Sequence, residues 1–508
     1  MWTGSGYWRH SRIERPLDAP DPSINPEKPV SLLKRIRVPH VFVLLTSVVL
    51  LSSALTWVLP SGQYERVTRQ VGSLERNVIV PDSYEQIDKA YSWSGVLLDQ
   101  PSDHAARPVS FQGFLSAIPR GMEAAADIIF FIFVVGGVFG ILQRSGAIVA
   151  GIHRLLTRFR HSGAALIILL MTAIAVGGST LGMGEEFIPL VPLFLIVSKE
   201  LGYDRVFGLA LVFVAAETGF AAATTNPFTV NVAQGIAELP LNSLIGFRAI
   251  FLVCCLAVAL TYLLRYGARV KKDRSNSVMP DDPFDITGLD VDVEHFTRRH
   301  GMILVSCVAI FAFILYAVQA FGWWMPEMGG GFLLMGIVAM IISRIPLNEA
   351  AIAFAKGMED MVVAALVVGF ARGVQVVLDD AQVLDTIVFH AASGLEHFSS
   401  YMAATGMFVF QTGLNFFIPS GSGQAAVTMP IMAPLADVLG LSRQVAVFAF
   451  TCGDGLSNTI IPTSGILMGM LGLAGIPYDR WLRFMLPLFL RLSLLAIVFL
   501  AIMVAMGL

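Results

Sequence analysis

The chain has 508 residues, of which 55% are hydrophobic and only 14% are charged, and its formal net charge is −3. Soluble domains are about 45–50% apolar and about 25% charged, so this composition indicates an integral membrane protein. The balanced charge, without a basic patch, argues against a nucleic-acid partner. The four cysteines lie in apolar segments without metal or redox spacing, and the common hydrolase, ATPase and dinucleotide motifs are absent from their required contexts. We therefore expect no enzyme activity and no cofactor.

The apolar segments from residue 38 onwards leave room for roughly ten membrane crossings, at about 20 residues for each spanning helix. Basic residues just before the first apolar segment place the amino-terminal tail in the cytoplasm. In chain order we predict a cytoplasmic tail at 1–37, a first span at 38–60, an extracytoplasmic segment at 61–110, a first repeat at 111–265, a cytoplasmic linker at 266–300, two spans at 301–345 and a second repeat at 346–508.

The second half of the chain repeats the motifs of the first half in the same order. The segment GMGE at 182–185 corresponds to GSGQ at 421–424, and the segment around Asn226 corresponds to GDGLSNTIIPTS at 453–464. Counting spans, together with the basic connection that only the first copy carries, predicts opposite orientations for the two copies. The fold is therefore predicted as an all-α polytopic membrane protein with two inverted-topology repeats, which is typical of secondary transporters.

Irregular sequence interrupts the apolar segments at two related places, 182–186 and 415–428. Within lipid, irregular backbone is tolerated only where it is buried in protein or lines a cavity. Both segments are therefore predicted to be tips of re-entrant hairpins, beside a broken helix in each repeat. The predicted substrate-binding residues are Ser420, Gly421, Ser422, Gly423, Gln424, Gly184, Glu185, Glu186, Asn226, Thr463 and Ser464.

Carboxylates within apolar sequence need a partner, water or an ion, because each costs about 2.5–3.5 kcal/mol on insertion scales. Unwound carbonyls and hydroxyls suit a sodium ion, whereas the N–H groups at half-helix amino ends suit a carboxylate. The predicted coupling-ion residues are Asp454, Ser457, Asn458, Glu217 and Thr225, with Na⁺ as the metal at the broken helices. A structural role stays open for each of these groups, since helix capping uses the same side chains.

Four segments together resemble a known family: GMGEE, NPFTVNVAQGIA at 226–237, the long segment at 415–445, and GDGLSNTIIPTS. They closely resemble the YfcC family of the C4-dicarboxylate anaerobic carrier group, from about residue 38 to the carboxyl end. The resemblance implies a place in the ion transporter superfamily and a homodimer. It also implies that a transport part, with both hairpins and both broken helices, slides as an elevator against a scaffold part that includes the spans at 301–345. The Ser457-Asn458-Thr459 sequence resembles a motif of sodium-coupled dicarboxylate carriers, but here it lies on the broken helix.

We predict a secondary active symporter or antiporter of the bacterial cytoplasmic membrane that moves a small carboxylate-bearing metabolite, coupled to Na⁺, H⁺ or exchange. An amino acid is favoured, because Glu185, Glu186 and Asp454 repel a dianion and attract an ammonium or guanidinium group. A sodium-coupled C4-dicarboxylate carrier is the alternative, and an ion channel is the alternative from another class. The amino terminus is predicted to be cytoplasmic and the carboxyl terminus extracytoplasmic.

Overall fold

The computed structural model describes residues 40–71, 74–99, 105–158, 162–284 and 296–508, which are mainly helical. The predicted tail at 1–37 and residues 285–295 of the predicted linker lie outside these ranges. Seven of the described helices are long and apolar enough to cross a membrane. This number is below the roughly ten expected crossings, because some apolar segments, such as Val41–Leu55 and Gly465–Ala474, form shorter helices. The chain is a polytopic helical membrane protein.

The first half contains nine α-helices within the described ranges. They are α1 Val41–Leu55, α2 Phe111–Ala124, α3 Ala126–Arg144, α4 Ala147–Arg158, α5 Gly163–Leu181, α6 Val191–Glu200, α7 Arg205–Ala221, α8 Val230–Ile236 and α9 Ile245–Lys272. A short 3₁₀ segment, Glu185–Leu190, precedes α6. Helix α9 continues beyond residue 265, where the linker was predicted to begin, because its basic carboxyl end is compatible with a helix and with the helix dipole.

Ten further helices follow. They are α10 Arg298–Phe321, α11 Met325–Ser343, α12 Leu347–Asp360, α13 Val362–Asp380, α14 Leu384–Leu395, α15 Ser400–Leu414, α16 Gly421–Val438, α17 Arg443–Ser457, α18 Gly465–Ala474 and α19 Tyr478–Met506. In chain order, α12, α13 and α14 have the same lengths as α2, α3 and α4, which are 14, 19 and 12 residues, and each half ends in a long helix, α9 with 28 residues and α19 with 29 residues.

The segment at 61–110, whose fold the sequence did not predict, contains four short strands. They are β1 Ser61–Gln63, β2 Arg66–Val71, β3 Leu74–Ile79 and β4 Glu85–Ile87, paired antiparallel as β1 with β4 and β2 with β3. The Arg66 guanidinium lies 2.7 Å from the Asp385 carboxylate, and the Tyr84 ring stacks on Phe389 with centroids 4.1 Å apart. These contacts fasten the strands to α14.

The helices of the two halves pack across each other, α2 against α13 and α3 against α12. A Cβ atom on Gly121 would lie 2.6 Å from the Gly373 nitrogen, and a Cβ atom on Gly140 would lie 3.1 Å from the Gly357 Cα. The helix backbones touch at these points, so only glycine fits. The glycines that recur in both halves of the sequence therefore allow the two halves to pack closely together.

Helices α7 and α17 are almost wholly buried and each is followed by an unwound break, 222–229 and 458–464. Pro227 and Pro462 lie inside these breaks, as expected for residues that lack a helical N–H donor. The breaks begin later than predicted, however, and Glu217 and Asp454 lie on regular helix. Burial within the core keeps these polar turns helical until the proline intervenes.

Candidate functional site

The first interrupted hairpin turns at GMGEE between α5 and α6. Helix α5 ends at Gly182, which has a φ of 69°, a conformation that favours glycine. A Cβ atom on Gly182 would collide with Asn226 in the first break, and one on Gly184 would lie 2.8 Å from the Ile466 Cδ1 on α18. The Gly184 nitrogen donates a hydrogen bond of 2.9 Å to the Glu186 Oε2. The first tip is thus packed between the two broken helices.

The second interrupted hairpin connects α15 to α16. Ser420 is the N-cap of α16, and its hydroxyl accepts a hydrogen bond from the Gly423 nitrogen at 3.4 Å. The glycines of this tip therefore belong to the first turn of a helix, not to an irregular loop as predicted. A Cβ atom on Gly421 would lie 2.6 Å from the Thr229 Cγ2 and 3.1 Å from the Asp454 Oδ2. The second tip thus contacts the first break and α17.

Each break is tied to the hairpin of its own half. The Ser179 hydroxyl, near the end of α5, donates to the Ala222 carbonyl at 2.8 Å. At the end of α15, the two N–H groups of the Asn415 side chain face three acceptors, each 2.8 Å from the nitrogen: the Asp454 carbonyl, the Ser457 hydroxyl and the Asn458 side-chain oxygen. Sequence reasoning did not assign Asn415 a role, although it begins the interrupted segment. These bonds hold the last turn of α17 and the first residue of each break, Ala222 and Asn458, against the hairpins.

Two arginines connect the halves at the far ends of the broken helices. Arg205, the first residue of α7, donates to the Ala474 carbonyl at the end of α18 at 2.9 Å. Arg443, the first residue of α17, donates to the Ala237 carbonyl just after α8 at 3.0 Å. A cation at a helix carboxyl end satisfies free carbonyls and complements the helix dipole. These two residues therefore anchor helix ends, and neither lines the cavity described next.

A cavity of about 460 Å³ lies between the two hairpin tips and the two breaks. Nine of the predicted site residues line it. They are Ser420, Gly421, Ser422, Gly423, Glu185, Glu186, Asn458, Thr463 and Ser464. Ser464 is the N-cap of α18, and its hydroxyl accepts from the Leu467 nitrogen at 3.3 Å. The amino ends of α16 and α18 therefore both open into this cavity, where their N–H groups favour an anion.

Other predicted site residues lie behind the cavity wall. The Gln424 side chain points away and donates to the Gln411 side-chain oxygen at 2.6 Å. The Asn226 side-chain oxygen accepts from the Phe228 nitrogen at 2.9 Å, and the Thr225 hydroxyl donates to the Thr180 carbonyl at 3.1 Å. The remaining predicted residues outside the lining are Gly184, Ser457, Glu217 and Asp454. Direct substrate contact predicted for Gln424, Asn226 and Gly184 is therefore not supported by their placement.

Glu217 and Asp454 carry buried carboxyl groups whose oxygens are not all hydrogen-bonded within the described residues. Their residues are 2% and 1% exposed. Both Asp454 carboxyl oxygens and the Glu217 Oε2 have no hydrogen-bond partner in the part of the chain that the structure describes. The Asn458 side chain lies within hydrogen-bonding reach of Glu217. A pair of negative charges so placed favours a bound cation or protonation.

Two threonine hydroxyls of the cavity lining also lack hydrogen-bond partners within the described ranges. They belong to Thr229 and Thr463. Thr229 packs on Gly421, which in turn lies beside Asp454. Carboxylate, hydroxyl and unwound carbonyl oxygens are the groups that coordinate Na⁺ at broken helices. Among the described residues there is no group of three His, Cys, Asp or Glu side chains that could hold a metal ion by themselves.

Arg372, on α13, is a cavity residue that sequence reasoning missed. It lines the cavity beside Ala371, and the residue is partly buried. The structure records no ion pair for Arg372 within the described chain, and Asp379 and Asp127 are the acidic groups that act on it from a distance. An arginine inside an apolar segment is a signal that could have revealed it. Other lining residues that were missed are Asp127, Phe220, Phe228, Thr229 and Trp324.

A polytopic helical membrane protein with a polar cavity at the meeting point of two broken helices has the architecture of a membrane transporter. A family model described as C4-dicarboxylate anaerobic carrier matches residues 38–506. The chain belongs to this family of transporters, which confirms the resemblance inferred from the motifs.

Two relatives cover most of the chain. It is 34% identical over 472 residues to a protein of Escherichia coli (strain K12) named "Putative basic amino acid antiporter YfcC", which covers 89% of this chain and 93% of that protein. It is 30% identical over 503 residues to an uncharacterized protein of Haemophilus influenzae, covering 93% of this chain and 98% of that protein.

Solved structures are more distant. The chain aligns with the Alcanivorax borkumensis YdaH transporter at 18% identity and a TM-score of 0.43, covering 92% of this chain and 99% of that one. For Neisseria gonorrhoeae MtrF, identity is 17% and the TM-score 0.41, with 92% and 96% covered. Similarity at this level carries no conclusion about the topology or substrate of this chain.

Proposed function

We propose that this protein is a secondary active transporter for a small zwitterionic metabolite, most simply an amino acid, in the bacterial cytoplasmic membrane. The observation that carries the proposal is the cavity, whose lining contains both a basic residue, Arg372, and the acidic residues Glu185 and Glu186. Its volume of about 460 Å³ lies in the range of small-molecule sites. A ligand with both an anionic and a cationic group would compensate both kinds of charge.

The substrate carboxylate is assigned to Arg372 and to the amino ends of α16 and α18. Guanidinium binds a carboxylate through two parallel hydrogen bonds, and the helix ends add N–H groups and a partial positive charge. Ser420 and Ser464 keep these ends in place as N-caps. The substrate ammonium or guanidinium group is assigned to the glutamates of the first tip. The name of the Escherichia coli relative, which refers to basic amino acids, agrees with a second cationic group.

A sodium-coupled C4-dicarboxylate carrier is the second candidate. It is favoured by the anion-binding elements of the cavity, Arg372 and two helix amino ends, and by the family description. A dianion would need cations beside Glu185 and Glu186. The binding experiment below separates the two candidates.

Glu217 and Asp454 are assigned to the coupling cation, which we take to be Na⁺, because their free oxygens lie beside the unwound breaks. Asn458, Ser457 and Thr225 would complete or position this site. A cation bound here would compensate the two buried carboxylates. Because Gly421 of the second tip packs on Asp454, binding of the cation would also be coupled to closure of this tip.

The proposed mechanism is an elevator with two inverted repeats and a homodimeric scaffold. The matching helix order supports the repeats. So do the antiparallel pairs: Tyr262 contacts Phe484 while Phe251 contacts Phe499, which shows that α9 and α19 run in opposite directions. Basic residues at the carboxyl end of α9 favour a cytoplasmic location for that end. The carboxyl terminus after α19 would then be extracytoplasmic.

A ligand-stabilisation screen tests the assignment of the substrate. Amino acids and C4-dicarboxylates are added with and without Na⁺, and a binder raises the apparent stability by RT ln(1 + [L]/Kd). We expect stabilisation by an amino acid, and we expect Arg372→Gln to weaken binding at least about tenfold through loss of a charge-assisted hydrogen bond. Arg298→Gln, at an exposed position outside the cavity, is the matched control. Stabilisation by dicarboxylates alone would favour the second candidate, and unchanged binding by Arg372→Gln would contradict the proposed role of this residue.

A further inference from the structure

A groove on the outer surface between α9 and α19 carries a cluster of arginines and is distinct from the central cavity. It has a volume of about 770 Å³ and is lined by Ala257, Val258, Thr261, Tyr262, Arg265, Ala268, Arg269 and Arg491. None of these residues lines the central cavity. The groove therefore plays no part in the proposed transport site.

Within the part of the chain that the structure describes, the three arginines of this groove have no acidic partner. The structure records no ion pair for Arg265, Arg269 or Arg491 among the described residues, and all three are exposed. The Arg491 guanidinium instead lies 5.0 Å above the centre of the Tyr262 ring. Three positive charges close together repel each other unless an anion compensates them.

Arg491 lies on a strongly apolar surface. Its neighbours on α19, Leu490 and Leu494, are 58% and 63% exposed, and Val253 on α9 is 66% exposed. Both helices are long and apolar enough to span a membrane, so this surface faces the acyl chains of the bilayer. An arginine that borders such an apolar surface is stabilised when its guanidinium reaches the headgroup region and meets an anion there.

An occupant of the groove must therefore be apolar along one part and anionic at one end. The apolar part would lie along Ala257 and Val258, and the anionic end would lie at Arg265 and Arg269, which follow about two and three turns further along α9. A hydrogen bond from the Tyr262 hydroxyl to the Phe484 carbonyl, at 2.5 Å, holds the two helices in this arrangement. The walls of the groove are thus fixed before any ligand binds.

We propose that this groove binds an anionic phospholipid, with the headgroup phosphate held by Arg265, Arg269 and Arg491. Guanidinium groups bind phosphate oxygens in a bidentate manner, and basic pockets between spanning helices suit lipid headgroups. By the orientation proposed above, the lipid belongs to the cytoplasmic leaflet. Binding neutralises the arginine cluster and fastens the ends of α9 and α19, the last helix of each half.

Native mass spectrometry of the delipidated full-length protein, supplied with equal amounts of phosphatidylglycerol and phosphatidylethanolamine, tests the proposal. We expect preferential retention of phosphatidylglycerol. The double substitution Arg265→Gln and Arg491→Gln should reduce this preference by about fivefold for each arginine removed, from about 1 kcal/mol per basic residue near an anionic lipid. Lys272→Gln removes the same charge from the end of α9 outside the groove and should retain the preference.

A second variant keeps the test decisive if the glutamine variants do not fold. Ala268→Trp fills the groove without changing any charge, and it should also lower retention of phosphatidylglycerol. Equal retention of the two lipids by the wild type would overturn the proposal. An equal loss in Lys272→Gln or full displacement by inorganic phosphate would also overturn it, and so would efficient cross-linking of two copies through the substitution Ala257→Cys. The last result would identify the groove as a contact between copies of this chain.

Discussion

Asp454 is the residue on which the proposed cation coupling depends most directly. It is 1% exposed, and neither of its carboxyl oxygens has a hydrogen-bond partner within the described chain. Its neighbour Gly421 belongs to the second hairpin tip. A cation at Asp454 would therefore act on both the broken helix and the tip.

Replacing Asp454 by asparagine should keep the fold and remove the response to Na⁺. The neutral amide lacks the charge that attracts a cation, while it removes an uncompensated buried charge. We expect wild-type protein to melt at a higher temperature in NaCl than in KCl of equal ionic strength, and Asp454→Asn to melt equally in both. Glu396→Gln, at an exposed carboxylate, is the control and should behave as wild type. A sodium-dependent shift that persists in Asp454→Asn would contradict the assignment.

The site residues that the sequence could predict are those that lie next to a visible interruption of an apolar segment. Ser420, Glu185 and Thr463 lie next to glycines or prolines that interrupt apolar segments, and these interruptions are visible in the sequence. Arg372 lies on regular helix, and only the packing of α13 against the second half's broken helix brings it to the cavity. Gln424 shows the opposite error, since it is next to the tip but its side chain faces Gln411.

At the scale of helices, close backbone contacts hold the two halves together. A Cβ atom on Gly140 of α3 would collide with the Ala353 carbonyl of α12, whereas one on Gly330 of α11 would have no neighbour within 4 Å. Gly140→Val should therefore lower the free energy of unfolding by about 1–3 kcal/mol, the usual effect of overpacking. Gly330→Val introduces the same side chain at an open position and should have a much smaller effect. Thermal unfolding in detergent measures both, and similar losses would contradict the proposed packing role.

The two arginine anchors should differ in strength because their ion pairs differ in burial. The side chains of Arg205 and Asp282 are 17% and 11% exposed, whereas the acidic partners of Arg443 are 48% and 67% exposed. Exposed pairs contribute little, and removing one partner of a buried pair leaves a charge without compensation. We expect Arg205→Gln to destabilise the protein more than Arg443→Gln in the same unfolding assay. An equal or reversed order would be evidence against this account.

The Arg205 anchor should also be stable to mild acid. Burial raises the pKa of Asp282, but hydrogen bonds from Arg205 and the Phe284 nitrogen outweigh that effect and hold the pKa below its usual range. A carboxylate with a depressed pKa contributes stability above the unfolded value, about 3.9, and loses it as the pH falls through the lower folded value. The contribution is therefore complete throughout the neutral range.

The boundaries of elements were harder to predict than their existence. The breaks in α7 and α17 follow from prolines in the sequence, but each helix continues further than its polar residues suggest, because the surrounding core keeps the turns helical. The strands between α1 and α2 were not predicted, since their short and polar segments acquire order through contacts with α14.

At the scale of the whole molecule, the proposed inversion fixes the side of the membrane on which the chain ends. An epitope tag placed after Leu508 should be accessible from outside intact spheroplasts, because α19 runs antiparallel to α9, whose basic end we place in the cytoplasm. A tag accessible only after the membrane is made permeable would contradict the inverted repeat. A tag inserted after Lys272, at the end of α9, is the matched control and should be accessible only from the cytoplasm.

In the proposed transport cycle, the central cavity binds a zwitterionic substrate through Arg372 and the first hairpin tip. The most direct measurement is counterflow in liposomes that contain the purified protein, loaded with an unlabelled amino acid and supplied with the labelled compound outside. We predict accumulation of labelled basic or neutral amino acid by the wild type and by Arg298→Gln, and its loss in Arg372→Gln. If the liposomes accumulated labelled succinate but no labelled amino acid, the proposed substrate would be contradicted. If Arg372→Gln accumulated as much labelled amino acid as the wild type, the proposed role of Arg372 would be contradicted.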